Sequence, residues 1–394
     1  MYLQPGKSRS PGKAPRWRYL ILFVVLAPAL SLAAARIAAQ EKPVAGSPPE
    51  SIPAAEFARI IQDTSESDGY FQSDVFVSNE ISYLAIVEKL RELGASGGAY
   101  IGVGPEQNFT YIARIRPQIA FIVDIRRQAM IQHLMYKAIF QLSDDRARFL
   151  SCLFSRPLKG DKPPGRDATA GELMGYFSQA PASGEAYAGN LAKIGKTIRE
   201  DFQFSLSDRD QSLLEYVYGT FRTEGPAVSS RIGWNGGRFP SLRDIIEQPD
   251  PTGKPGSFLA GEQGYAFVRD LQRRNRIIPV VGDFGGSKAL KAVGAYLRKN
   301  SYTVTAFYTS NVEQYLFQNG AFGAFAGNVR TLPITPDSLF IRAVMRQAPV
   351  VQVAGGRAAT LLQKISVFLK DYDGGLYQNY SQLVNTHYII GRRP

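Results

Sequence analysis

Two short runs of the chain are apolar at nearly every position, without the one-in-two alternation of a half-exposed strand. They are "AYIGVG" at 99–104 and "IAFIVDI" at 119–125. Strands of this kind are covered on both faces, as in a parallel sheet flanked by helices. About fifteen residues join them, room for the crossover that parallel neighbours need. Ahead of them, Ile81, Leu84, Ile86, Val87 and Leu90 recur at helical spacing, with "SNE" as a start signal and Gly94, Gly97 and Gly98 as a stop. The same rhythm returns after residue 262. "GYAFVRDLQRRN" reads as an amphipathic helix, "RIIPVVGD" (276–283) as a strand, "SKALKAVGAYLRKN" as a helix, and "YTVTAFYTS" (302–310) as a strand. "NVEQYLFQ" starts another helix, "SLFIRAV" (338–344) is a strand, and "AATLLQKISVFLKDY" is read as the closing helix. The expected fold is α/β: a doubly wound, mostly parallel, Rossmann-like sheet. Residues 143–262 break the rhythm with Pro- and Gly-rich stretches between short helical patterns, which predicts a mainly helical insertion. It either covers a pocket or decorates the surface.

The N-terminus adds a second kind of segment. Residues 1–39 carry six cations and no acid, and the apolar run "YLILFVVLAPALSLAAA" follows the cationic stretch. That order is the pattern of an export signal, or of a single anchor if it is not cleaved, with a buried N-terminal helix as the alternative. It implies contact with a membrane or the export machinery and a domain outside the cytoplasm, exported to the periplasm or held at the membrane. Residues 40–55, "QEKPVAGSPPESIPAA", read as a flexible linker, and 56–394 as the α/β domain containing the insertion. Without the first 39 residues, the formal excess of +12 falls to 40 Lys+Arg against 34 Asp+Glu. That excess is a solvated surface, and no nucleic-acid partner is expected. The single cysteine, Cys152, excludes an internal disulfide and reads as a buried thiol. His133 and His387 have no acid or cysteine at metal-ligand spacing, so no metal site is expected.

The candidate chemistry lies at the strand ends. Gly102 and Gly104 follow the first strand, Pro105 suits the first turn of a helix, and Asp124 closes the next strand. An acid there accepts the hydroxyls of a ribose in nucleotide sites on open parallel sheets. It would serve equally as a helix cap, with the glycines only shaping a turn. The third glycine of a dinucleotide site would fall at 107, where Gln107 stands, which leaves an NAD-dependent oxidoreductase the weakest reading.

With "YIGVGPE", the strand-end Asp124 and "VVGDF" in place, the chain resembles the class I S-adenosylmethionine-dependent methyltransferases over about residues 80–142 and 264–345. It is also similar to a bacterial family described by its methyltransferase-like fold. The resemblance implies S-adenosylmethionine, or a related small nucleoside-bearing ligand, as the cofactor. Gly102, Gly104, Glu106 and Asn108 would form the turn, Asp124 would hold the ribose, Asp283 the adenine amino group, and Phe284 would pack on the ring. The superfamily's acid two residues before the first glycine is Tyr100 here, and Glu106 stands at its third turn glycine. Glu106 is therefore offered for the cofactor's ammonium. Asn79 and Glu80 are either a helix cap or compensating contacts to the cofactor's amino-acid end. The reacting methyl would lie near Tyr308, Ser310, Asn311 and Glu313. The function implied is methyl transfer to an acceptor. The alternative is an exported, non-catalytic binding or scaffold protein on the same fold, a reading favoured by Tyr100 and Glu106.

Overall fold

In a computed structural model, residues 50–160, 162–232, 239–345 and 358–391 are described. The signal or anchor expected over 1–39, and most of the linker, lie outside the described residues. The described residues fall in one unit. Among the described residues no helix is long and apolar enough to cross a membrane.

Among the described residues, nine strands form two sheets: β1 Ser73–Asp74, β2 Ala99–Gly102, β3 Ile119–Asp124, β4 Arg231–Ile232, β5 Ile277–Val281, β6 Val304–Ser310, β7 Ile334–Met345, β8 Ala358–Lys364 and β9 Ile389–Ile390. β1 and β4 pair as a small antiparallel ribbon. The other seven make one sheet in the order β5-β3-β2-β6-β7-β8-β9. Its first five strands are parallel, while β8 and β9 add antiparallel pairs at one edge. The parallel strands are thus arranged third-second-first-fourth-fifth, so the winding reverses between β2 and β6. This is a mostly parallel, mixed α/β sheet.

The all-apolar pattern of β3 and β5 reflects their surroundings, since every residue of both is buried. The helix Arg127–Leu142 packs against β3, β5 and the insertion's helix Asp208–Glu224. Twelve of its residues are buried, which is why its sequence shows little one-sided patterning. Phe109 ties the first crossover helix to this layer, with ring centroids 5.6 Å from Tyr136, 5.5 Å from Phe140 and 5.3 Å from Phe258. Burying such a ring contributes roughly 1.5–3 kcal/mol.

The insertion contains the helices Arg146–Phe154, Ala170–Gln179, Gly184–Lys196, Asp208–Glu224 and Leu242–Glu247, together with β4. Two sequence expectations need correction. The closing helix expected from Ala358 is instead β8 followed by the helix Ile365–Asp373. Ala358 to Gln363 are buried throughout and pair with β7, and a run buried on both faces carries no period to separate strand from helix. At the other end, the chain docks before residue 56. Ile52 is buried, its N–H donates to Arg274 O at 3.0 Å, and the first helix is Ala54–Thr64.

Candidate functional site

The turn after β2 is built mainly by its own side chains. Gly104 takes φ 76°, and Glu106 is the N-cap of the helix Gln107–Ile115. Asn108 Nδ2 donates to the carbonyls of Val103, Gly104 and Pro105 at 2.9, 3.0 and 2.7 Å, while its Oδ1 accepts from the Tyr100 hydroxyl at 2.9 Å. A Cβ at Gly102 would strike Asn108 Oδ1 and the Tyr100 ring, so this glycine serves internal packing. His133 Nε2 lies 2.8 Å from Gly104 O, and its Nδ1 has no partner. Burial pushes the His133 imidazole down to about 4, so it is neutral at physiological pH and donates from Nε2.

Asp124 closes β3 beside the turn. Its Oδ1 accepts from Arg126 Nε at 2.9 Å and from the Arg126 N–H at 3.0 Å, and its Oδ2 accepts from the Arg126 guanidinium at 2.8 Å. Burial would raise this carboxyl, but the guanidinium and its hydrogen bonds outweigh burial and hold it below the ordinary range. Arg126 also reaches Ser73 O and lies 5.7 Å from the Phe71 ring centroid.

A strap over 65–71 crosses the ends of β3 and β5. Glu66 N–H donates to Val281 O, and Gly69 N–H to Ile125 O. The Glu66 carboxylate accepts three N–H groups, from Asp283 at 3.0 Å, Lys288 at 2.6 Å and Ala289 at 2.8 Å, at the start of the helix Ala289–Lys299. Asp68 accepts the Arg127 N–H at 2.7 Å, at the start of Arg127–Leu142. Each carboxylate thus meets a positive helix end. Asp283 itself accepts the Gly285 N–H at 2.8 Å.

On the other side of the reversal point, β6 ends in Tyr308, Thr309 and Ser310. Ser310 has φ 53°, a strained conformation for a residue with a Cβ. Its hydroxyl donates to Glu80, as do the Tyr308 hydroxyl at 2.8 Å and Gln107 Nε2 at 3.2 Å. Glu80 is 1% exposed, and burial raises its carboxyl against these three hydrogen bonds. Neighbouring Glu106 accepts the Ser78 N–H at 3.1 Å through Oε1 while its Oε2 is unpartnered, and burial raises its carboxyl to about 7.

Both sides open onto one cavity of about 430 Å³. Of the residues singled out from the sequence, Gly104, Asp124, Asp283, Phe284, Tyr308, Ser310, Asn311, Asn79 and Glu80 line it. Gly102, Tyr100, Glu106, Asn108 and Glu313 do not. Tyr100 and Asn108 bond to each other, and Glu106 turns toward Ser78. Glu313 is fully buried, held on Arg342 Nε at 2.8 and 3.0 Å and on Thr309 Oγ1 at 3.0 Å, and so is structural. The capping role offered for "SNE" is also corrected: Glu80 is the N-cap of the 3-10 helix Ile81–Ile86 but makes no side-chain cap bond, and Ser78 Oγ instead accepts the Glu80 N–H at 3.2 Å. Sequence reading missed Arg126 and Asn319 as lining residues, and the aromatics Tyr70, Phe71 and Tyr315, which from sequence alone read as core sooner than cleft, line it too. Arg126 had one local signal, its place two residues beyond a strand-end acid. Tyr70 is 85% exposed at the mouth.

The described lining holds three carboxylates, Asp124, Asp283 and Glu80, against the one guanidinium of Arg126. Among the described residues no group of His, Cys, Asp and Glu is arranged to hold a metal. The model of the family described as "Domain of unknown function (DUF7790)" matches residues 75–157 and 207–387. The chain belongs to this DUF7790 family. The family match includes β2, β3, β5, β6 and the acids Glu80, Asp124 and Asp283. It leaves out residues 158–206 of the insertion, and the strap precedes it. No curated protein matches the chain.

Proposed function

We propose that the cavity binds a nucleoside-bearing small molecule of the S-adenosylmethionine type, and that the protein is a methyltransferase-like member of its family. The observation that carries this reading is that Asp124 and Asp283, at the ends of adjacent strands, line one cavity with Gly104 and Phe284. Its volume falls in the range of small-molecule sites. Asp124 keeps about one acceptor direction for a ribose hydroxyl beyond its three bonds from Arg126, because a carboxylate offers about four. Phe284 and Phe71 supply apolar walls for a base.

Charge favours a cationic ligand over a dinucleotide. A pyrophosphate uses the positive end of a helix at the strand edge. Here the helices after β2, β3 and β5 have Glu106, Asp68 and Glu66 at their starts. When bound, S-adenosylmethionine supplies an electrophilic methyl group. The chain's own residues orient the ligand and shield it from water, which is most of what such a displacement requires.

Titration calorimetry on the full chain tests this. S-adenosylmethionine or S-adenosylhomocysteine binds, NAD does not, and Asp283→Ala weakens binding at least about tenfold. Binding of NAD alone, or no effect of Asp283→Ala, refutes it. A second reading, a non-catalytic binding protein carried out of the cytoplasm by its N-terminal segment, is favoured by the engagement of both Asp124 oxygens with Arg126 and by Tyr100 turning inward. Cell fractionation with sizing of the mature chain separates the two: a clipped periplasmic form supports the binder.

A further inference from the structure

Among the described residues, the buried carboxylates lie against a basic side chain with two exceptions. Asp124, Asp145, Asp210, Glu313 and Asp371 each lie against an arginine or histidine. Glu80 and Glu106 are as deeply buried, and no described cation pairs with either. The two are joined through Ser78 and Gln107: Ser78 N–H donates to Glu106, Ser78 Oγ donates to Gln107 Oε1, and Gln107 Nε2 donates to Glu80. Of the pair, only Glu80 faces the cavity.

Three groups donate to the Glu80 carboxylate, and an ionised carboxylate only accepts, so the surroundings are built for the charged form. An ionised carboxylate without a counter-charge is costly at such depth. Neutral donors ease that cost without cancelling the charge. A cation entering the cavity would supply both the missing charge and a donor for the remaining acceptor direction. The strained backbone of Ser310, which puts its hydroxyl on Glu80, is the sort of local cost that persists where a site needs it.

We propose that Glu80, flanked by Tyr308 and Ser310, is a seat for an organic cation, an alkylammonium group, on the β6 side of the cavity. The proposal rests on the cavity being a ligand site, and it does not depend on the ligand being a nucleoside. The ammonium belongs either to the same molecule as the base on the β3 and β5 side or to a separate amine.

Binding of three probes to the full chain and to Glu80→Gln tests it. S-adenosylhomocysteine carries a nucleoside and an ammonium, methylthioadenosine carries the nucleoside alone, and ethylammonium carries the cation alone, with sodium chloride as its ionic-strength control. If the ammonium sits on the nucleoside ligand, S-adenosylhomocysteine binds at least about tenfold more tightly than methylthioadenosine, and Glu80→Gln abolishes that ratio while leaving methylthioadenosine unchanged. If it belongs to a separate amine, ethylammonium raises the melting midpoint in the wild type but not in Glu80→Gln, and the ratio between the two nucleosides stays near one. The same ethylammonium result with neither nucleoside binding supports the seat and removes the nucleoside reading. Nucleoside binding with no Glu80 dependence of any cation effect overturns the seat and leaves that reading standing, and silence of all three probes overturns both. Should Glu80→Gln not fold, Glu80→Asp carries the comparison: withdrawing the carboxylate by one methylene lowers the cation effect several-fold, and an unchanged effect overturns the proposal.

Discussion

The two sides of the carboxyl edge handle negative charge in opposite ways. Over β3 and β5, each acid has an internal partner: Asp124 has Arg126, Glu66 has the amides at the start of Ala289–Lys299, and Asp68 has the Arg127 amide. Beside β6, Glu80 and Glu106 have only neutral donors. On the first side the deeply buried acid, Asp124, is charge-compensated without a ligand. The second carries excess charge in a dry setting, and that asymmetry locates where binding energy from charge is available.

Breaking the completed side should cost most. Arg126→Met leaves Asp124 buried without its cation, a loss of about 3–5 kcal/mol in denaturant unfolding, and adding Asp124→Asn recovers part of it. A loss under about 1 kcal/mol would mean that Asp124 is solvated and the contrast false.

The incomplete side should show itself in pH dependence. Glu106 has its carboxyl raised from 4.5 to about 7, so between those values the folded state holds a proton that the unfolded state has released. Glu106's contribution to stability therefore falls as pH rises through that window, by about 1–3 kcal/mol, against the opposite slope of His133, whose folded imidazole is already neutral there, so the quantity to read is the wild type minus Glu106→Gln. Glu106→Gln removes this contribution, and a difference that stays flat across the window refutes it.

Smaller effects sharpen the contrast. Glu66→Gln weakens three hydrogen bonds to a charged acceptor and costs about 1–2 kcal/mol, read from the thermal midpoint. Gly286→Ala acts on the same seat, because a Cβ at 286 falls on the Glu66 carboxylate. Smallest of all, Glu80→Gln removes a charge with no described counter-charge and keeps one oxygen to accept from Tyr308 and Gln107, while its amide N–H meets the Ser310 hydroxyl, which turns to accept, so unfolding free energy changes by less than about 1 kcal/mol or rises. A loss as large as that of Arg126→Met would show that Glu80 has a stabilising cation partner.

These features differ in how far the chain alone reveals them. β3 and β5 were legible because each buries an unbroken run of five apolar residues, Ile119 to Val123 and Ile277 to Val281. β8 was not, since its burial runs straight into that of Ile365–Asp373 and no breaker separates them. Asp124, Asp283, Tyr308 and Ser310 could be picked out because strand ends have a recognisable chemistry on this fold. Their partners could not. Glu80 meets Tyr308 across 228 positions and Ser310 across 230, and Glu66 reaches Asp283 across 217. Glu313 misled for the reverse reason. It follows a strand end closely, yet a helical turn points it back to Thr309 and Arg342.

The strap has a mechanical consequence. The helix Ala54–Thr64 ends where the strap begins, with Ser65 and Glu66 already bonded to Val281 and Asp283. With no slack between them, a pull on that helix is passed to the floor beneath Asp283, and through Tyr70 and Phe71 to the rim. A pull at Ala54 is therefore a pull on the doorway itself.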